Sequence, residues 1–315
     1  MCKRPQNSTL HVTSFDLNDY LSRRRATIDR ALDRYIKAQQ GHGHDIWRAM
    51  RYGLFPGGKR IRPILTLATG ELFGAQHKSL MPFACALEMI HAYSIIHDDL
   101  PAIDDDDLRR GEPTAHKVFG EGMALLAGDA LLTEAFHLMS GSQIARSVPP
   151  ALVLNLIHEV GQAAGVSGLV GGQALDLEAE DTEVDPATVE YIHVRKTGAL
   201  ILASIRVGAR AAGATGADLR RVSRYGEFLG LAFQIADDIL DIVGQPVAGD
   251  RRESGRKERK KATYPAVVGV VQAKERLKEL LQQAVEQLGS FGSDAQALKA
   301  LAHYIGGPAL REEKN

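Results

Sequence analysis

The chain has 315 residues, 44% of them apolar and only 6% aromatic, with a formal net charge of −1. A nearly neutral chain offers no general field for nucleic acid, so any electrostatic function has to be local. Its core has to be built mainly from Leu, Ile, Val and Ala. Two cysteines, Cys2 and Cys85, are too few and too far apart for a disulfide framework. The opening stretch MCKRPQNSTLHVTSF lacks the apolar segment of a signal peptide. No apolar run reaches the length of a membrane span, and MALLAGDALL is interrupted by Asp129. These features predict a soluble, cytoplasmic protein without stable membrane association.

Residues 1–13 are polar and aperiodic and read as a disordered leader. From Leu17, apolar residues at Leu21, Ile28, Ala31, Leu32, Tyr35 and Ile36 recur at helical spacing. His42 to Gly58 reads as a short helix and a turn. Ile61–Phe73 follows as a helix with Pro63 in its first turn and Gly74 at its end. Leu80–His97 is a long apolar helix. Glu121–Met139 and Ala151–Gly161 are further helices, separated at Pro149 and Pro150. Val166–Ala179 is helical but Gly-rich. Asp185–Val194 and Thr197–Ala212 follow, with Thr197 as a candidate N-cap. Asp218–Val243 is long and apolar, Pro246–Lys261 is a charged loop, and Tyr264–Leu288 and Asp294–Ile305 complete the helices. Gly306, Gly307 and Pro308 end the last helix and release a polar tail, 306–315. No alternating strand pattern persists and the connections are short, which predicts one all-α domain, a helical bundle over 14–305.

Two acidic clusters close two of these helices. HDDLPAIDDDDLRR, His97–Arg110, holds Asp98 and Asp99, four spacers, and then Asp104–Asp107. Carboxylates packed this closely repel one another unless a cation neutralises them. On its own the run also reads as a solvated acidic loop. The second cluster lies 139 residues further on, in FQIADDILD: Asp237 and Asp241 share one helix face one turn apart, with Asp238 beside them. Together the clusters read as two walls of one metal-filled cavity. Carboxylates without nearby His or Cys ligands suit a hard cation such as Mg²⁺, which takes one or two carboxylates plus substrate phosphates and water. The basic partners are GGKRIR, with Gly57 and Gly58 allowing close backbone approach beside Lys59, Arg60 and Arg62, and the pair Arg109–Arg110. Taken alone, the first is also a glycine turn with surface charges, and the second also fits surface pairing with Asp106 and Asp107.

DDLPAIDDDDLRRG, DDILD, GGKRIRP, GDALL, RKTGAL and FQIADD together resemble the trans-isoprenyl diphosphate synthases, the bacterial farnesyl diphosphate synthases among them, from about Arg23 to Tyr304. The four spacers between Asp99 and Asp104 match the family's longer first motif, and Pro101 should break the helix there so that Asp104 swings toward Asp98. The resemblance implies the isoprenoid synthase bundle with a central metal and diphosphate cavity, and a homodimer. It implies an enzyme in which an allylic diphosphate ionises, isopentenyl diphosphate attacks, and a proton is lost. Farnesyl diphosphate would be made from dimethylallyl and geranyl diphosphate. Asp98, Asp104 and Asp237, supported by Asp99, Asp238 and Asp241, would hold several Mg²⁺ ions, three with substrate bound. Arg109, Lys196 and Lys261 would contact the allylic diphosphate. Gly58, Lys59, Arg62, His91 and Arg110 would hold the isopentenyl diphosphate. Thr197 and Gln234 would place oxygen dipoles near the cation. Read without the family, His91 is a satisfied helix histidine.

Product length is expected to follow from Tyr93 and Ser94, at the position that sets it in the family. Ser94 lies one turn before Asp98, and Tyr93 one residue deeper, about 7–8 Å from Asp98 along the axis. Tyr93 also reads as an ordinary core aromatic. The alternative products are geranyl or geranylgeranyl diphosphate. A non-catalytic partner subunit is disfavoured by two intact clusters, and a terpene cyclase by DDILD where an Asn/Ser/Glu pattern is usual. One segment departs from the family: Arg251 stands where Lys is usual and Arg256 where Asp is usual, in a loop, Asp250–Lys261, of net charge +4. It reads either as a solvated loop or as a basic lid.

Overall fold

The structure is a computed structural model that describes residues 15–37, 44–55, 57–141, 144, 148–243 and 263–311. The expected leader, the loop Pro246–Lys261 with Arg251, Arg256 and Lys261, and the end of the tail lie outside the described residues. Fourteen α-helices follow in order among those described: α1 Leu17–Tyr35, α2 His44–Leu54, α3 Ile61–Leu72, α4 His77–Asp98, α5 Ala115–Phe119, α6 Glu121–Ser140, α7 Pro150–Ala164, α8 Leu169–Ala179, α9 Pro186–His193, α10 Ala199–Ala211, α11 Gly216–Val243, α12 Tyr264–Val268, α13 Val270–Gln287 and α14 Gln296–Gly306.

Local chemistry explains most boundaries. Asp16 caps α1 by accepting from the N–H groups of Asn18 and Asp19, and Asp185 caps α9 by accepting from Thr188 N–H at 2.7 Å, with Pro186 next in line. Gly74, at φ +77°, turns the chain out of α3. Gly269, at φ +87°, divides the expected helix Tyr264–Leu288 into α12 and α13, because only glycine enters that region without strain. Thr197 is not an N-cap. The chain runs from α9 through a π-helical turn, Val194–Gly198, straight into α10. An antiparallel strand pair, Leu108–Arg109 with Glu112–Pro113, is also present. Arg110 and Gly111 form its two-residue turn, both at positive φ, as the twist of a tight hairpin demands.

The bundle is assembled around α4, buried on every face from Leu80 to Ile96, as expected for a helix apolar all round. By length and composition this helix is long enough to cross a membrane, contrary to the expectation from its sequence, but 83% of its most apolar window is packed inside the protein. Neighbours run α6, α4, α3, α10, α11, α13 across the bundle. Short connections, 73–76 and 212–215, make α3 antiparallel to α4 and α10 antiparallel to α11. The starts of α3 and α10 can therefore share one end of the bundle with the finishes of α4 and α11, and it is these four termini that carry the motifs.

Candidate active site

The first wall is the end of α4. The helix stops at Asp98, and Pro101 lies in the turn that follows. The chain then folds back: Asp104 N–H donates to the Asp98 carbonyl at 2.8 Å, and Asp105 N–H to the Leu100 carbonyl at 3.1 Å. The proline break therefore brings Asp104 to Asp98 as expected. Asp99 does not join them. It is buried, and its Oδ1 accepts from both Nε and Nη2 of Arg109 at 2.6 Å, while Nη2 also lies 3.5 Å from Asp106 Oδ2. Burial pushes the Asp99 carboxyl upward, against the pull of the Arg109 guanidinium. Asp99 and Asp106 thus position an arginine. Asp107 pairs with Lys117 at 2.6 Å.

The second wall is the end of α11, where Asp237 and Asp241 are exposed and one turn apart. Asp238 points the other way. It is buried, accepting from Gln234 Nε2 at 2.9 Å and from the backbone N–H of Tyr264 at 2.8 Å. Burial raises its carboxyl to about 6. Of the six aspartates expected to ligate metal, Asp99 and Asp238 are the buried ones. Among the described residues no three His, Cys, Asp or Glu side chains converge on one point. Carboxylate oxygens are the donors that suit Mg²⁺, whose shell substrate phosphates complete.

The basic groups singled out by the sequence fall in the turn before α3, on α3 and α4, in the hairpin and in the π-helical turn. The turn Gly57–Arg60 leads into α3, and Arg110 Nη1 donates to the Gly57 carbonyl at 2.6 Å, tying it to the hairpin. Arg62, in the first turn of α3, is buried; burial lowers it to about 10, while Glu88 and Asp237 favour its charge. Burial, with Arg62, Arg110, Arg109 and Arg60 around it, holds His91 well below the ordinary histidine value, so it is neutral and available as a hydrogen-bond donor. Lys196 lies in the π-helical turn. Burial opposes its charge, but Asp176, Asp98 and Asp104 together raise it, and its Nζ donates to Asp176 Oδ2 at 2.6 Å. Asp237 lies within electrostatic reach of Arg62 at the start of α3, and Asp98 and Asp104 within reach of Lys196 just before α10, where helix N-termini also favour phosphate.

Arg60 departs from expectation. Its backbone is left-handed, at φ +53°, which turns its side chain inward: Nη1 donates to Glu88 Oε1 and Nε to Asp29 Oδ1, both at 2.9 Å. It braces the glycine turn from behind. Glu88→Ala leaves that guanidinium buried with one partner fewer and should cost about 3 kcal/mol of stability in urea unfolding.

Sequence reasoning missed Asp176, Gln173, Glu88 and His193. The available signal was Gln173 and Asp176, polar and nearly one turn apart on the otherwise small and apolar start of α8. Gln173 keeps both amide atoms buried without a hydrogen-bond partner among the described residues. Gly172 lets α8 approach so closely that a Cβ would overlap the Lys196 backbone, and Gly230 on α11 presses the other side, where a Cβ would meet Gly198 Cα at 2.8 Å. The turn bearing Lys196 and Thr197 is thus clamped between two helices.

An all-α bundle with two aspartate walls facing a set of arginines, a lysine and a neutral histidine defines an enzyme class that handles diphosphates. The polyprenyl synthetase family model matches residues 44–302. The chain is 46% identical over 281 residues to the farnesyl diphosphate synthase of Escherichia coli (strain K12), covering 88% of this chain and 94% of that one. It is 43% identical over 296 residues to the geranylgeranyl diphosphate synthase of Cyanophora paradoxa, covering 93% and 97%. A crystal structure of an FPP/GFPP synthase from Zymomonas mobilis matches with a TM-score of 0.82 at 37% identity, covering 92% and 98%. The chain belongs to the polyprenyl synthetase family. It is a prenyltransferase with the isoprenoid synthase fold.

Proposed function

We propose that this prenyltransferase condenses isopentenyl diphosphate with dimethylallyl and then geranyl diphosphate, and releases farnesyl diphosphate. The reading is supported by the charges that reach from the two aspartate clusters to Arg62 and Lys196, each at the start of a helix or the turn before it. Asp98 and Asp104 on one side, and Asp237 with Asp241 on the other, would hold Mg²⁺, with Asp99 and Asp238 supporting them through Arg109, Gln234 and Tyr264. When bound, the metal supplies Lewis-acid stabilisation of pyrophosphate charge.

Arg109, set by Asp99 and Asp106, and Lys196, set by Asp176, bind and orient the allylic diphosphate; the family resemblance gives Lys261 the same role. Gly58, Lys59, Arg62, His91 and Arg110 bind the second diphosphate, so its double bond lies against the allylic carbon. The allylic C–O bond breaks, the double bond attacks the carbocation, and the departing pyrophosphate takes the proton. Thr197 and Gln234 stabilise the cation with oxygen lone pairs without trapping it covalently. Tyr93 closes the hydrocarbon pocket beneath Asp98.

Pure protein is incubated with Mg²⁺, isopentenyl diphosphate and each allylic diphosphate in turn, and the products are weighed by mass spectrometry. A fifteen-carbon diphosphate is expected. Only ten- or twenty-carbon products would overturn the farnesyl reading, and no product at all would overturn the whole assignment.

The active unit is a homodimer. Val118 on α5 and Leu125 and Leu126 on α6 lie 47–55% exposed, an apolar face that pairing would cover. Light scattering should give twice the chain mass, and Leu126→Glu should shift it toward the single-chain mass. A single-chain mass for the native protein sinks the dimer.

A further inference from the structure

Three hydrogen-bonding groups converge on the Asp238–Gln234 pair, and the arrangement has a direction. Oδ1 of Asp238 accepts from Gln234 Nε2 at 2.9 Å, and Oδ2 accepts from Tyr264 N–H at 2.8 Å, with His193 Nε2 3.3 Å from the same oxygen. Because Oδ1 is an acceptor, the near end of the Gln234 amide has to be its NH₂. Turned round, its carbonyl would face a second acceptor across a buried contact. The far end is then the carbonyl, and Thr197 Oγ1 donates to it at 2.7 Å. A hydroxyl has one proton. Once it is given to Gln234, Thr197 has only lone pairs to offer to anything else.

Thr197 follows Lys196, whose charge feels Asp98 and Asp104, in the π-helical turn clamped at Gly172 and Gly230. A developing carbocation is stabilised by oxygen lone pairs and destabilised by an O–H proton pointed at it. We propose that Asp238 is a positioning residue that sets the polarity of the Gln234–Thr197 relay, so that the hydroxyl presents lone pairs and not its proton to the cation. The proposal rests on the prenyltransferase reading above. The same carboxylate satisfies the first N–H of α12, whose preceding residue Thr263 provides no side-chain cap. Asp238 therefore also couples the relay to the docking of α12.

The test transposes the charge. Asp238→Asn puts an NH₂ where an acceptor was, so Gln234 loses its partner or turns over. Gln234→Glu sets two carboxylates face to face. In the double variant Asp238→Asn/Gln234→Glu the new amide donates to the new carboxylate, which again accepts from Thr197. Each single change should lower kcat by about 10- to 100-fold with little change in KM, and the double variant should recover most of that loss. Calorimetric binding of Mg²⁺ with inorganic pyrophosphate should be unaffected by Asp238→Asn and strongly weakened by Asp237→Asn. A double variant no faster than the slower single variant overturns the proposal, as does Asp238→Asn weakening pyrophosphate binding as much as Asp237→Asn.

If melting curves show any of these variants unfolded, Thr197→Ser and Thr197→Val decide. Serine should keep kcat near native and valine should lower it; equal rates overturn the proposal. A native chain without turnover is a different result, which fails the functional reading itself.

Discussion

Asp98→Ala and Asp237→Ala should each lower kcat by about 10³-fold or more, with a much smaller rise in KM. The reason is differential. Asp98 and Asp237 would hold Mg²⁺, whose charge would count most once the allylic C–O bond has broken and the pyrophosphate carries its full charge. A ligand lost from either wall therefore raises the barrier more than it weakens binding. Removing Mg²⁺ with a chelator should abolish turnover, and re-addition should restore it. Asp99→Ala acts by another route: it frees Arg109, which Asp99 holds at 2.6 Å, so KM for the allylic substrate should rise with it. Near-native turnover of Asp98→Ala or Asp237→Ala at excess Mg²⁺ would refute the two-wall mechanism.

Tyr93→Ala should extend the product from fifteen carbons to twenty while turnover is kept. Tyr93 is 5% exposed on α4, and its ring stands edge-on to His97 with centroids 5.6 Å apart. Burial, with Asp98 nearby, pushes its hydroxyl up to about 12, so it stays neutral. The space left by the ring should remain open rather than collapse. His97 behind it donates from Nε2 to the Leu125 carbonyl at 3.0 Å and fills the notch left by Gly128, where a Cβ would overlap the imidazole. An empty cavity there costs about 3 kcal/mol, and a longer prenyl chain recovers part of it, so product should protect the variant against heat. Product mass decides the point: a variant that still stops at fifteen carbons places the floor elsewhere.

Helices were legible because their code is local. Apolar spacing, Asp16 and Asp185 as caps, and Gly74 as a stop act within one or two turns of chain. Thr197 was misread for the same reason. It has the chemistry of an N-cap, but Gly172 and Gly230 bring α8 and α11 so close that the backbone continues through it as a π-helical turn. The even spacing of Tyr264–Leu288 likewise hid the break that the positive φ of Gly269 makes.

By itself the sequence determined the fold class and the two helices that end in acidic clusters, since motif spacing and charge are carried by neighbouring residues. It also determined that Pro101 would return the chain to Asp98. Only the tertiary structure decided how the charges divide. Within each adjacent pair of aspartates, the second is buried and turned into the protein, Asp99 to Arg109 and Asp238 to Gln234 and Tyr264. Arg60 is taken by Glu88 and Asp29, and Lys196 by Asp176. These partners lie 10 to 31 residues apart except for Gln234, so pairing depends on which helix packs against which. A buried charge has to find a partner or lose its ionisation, and the partner is chosen by packing that no local pattern records.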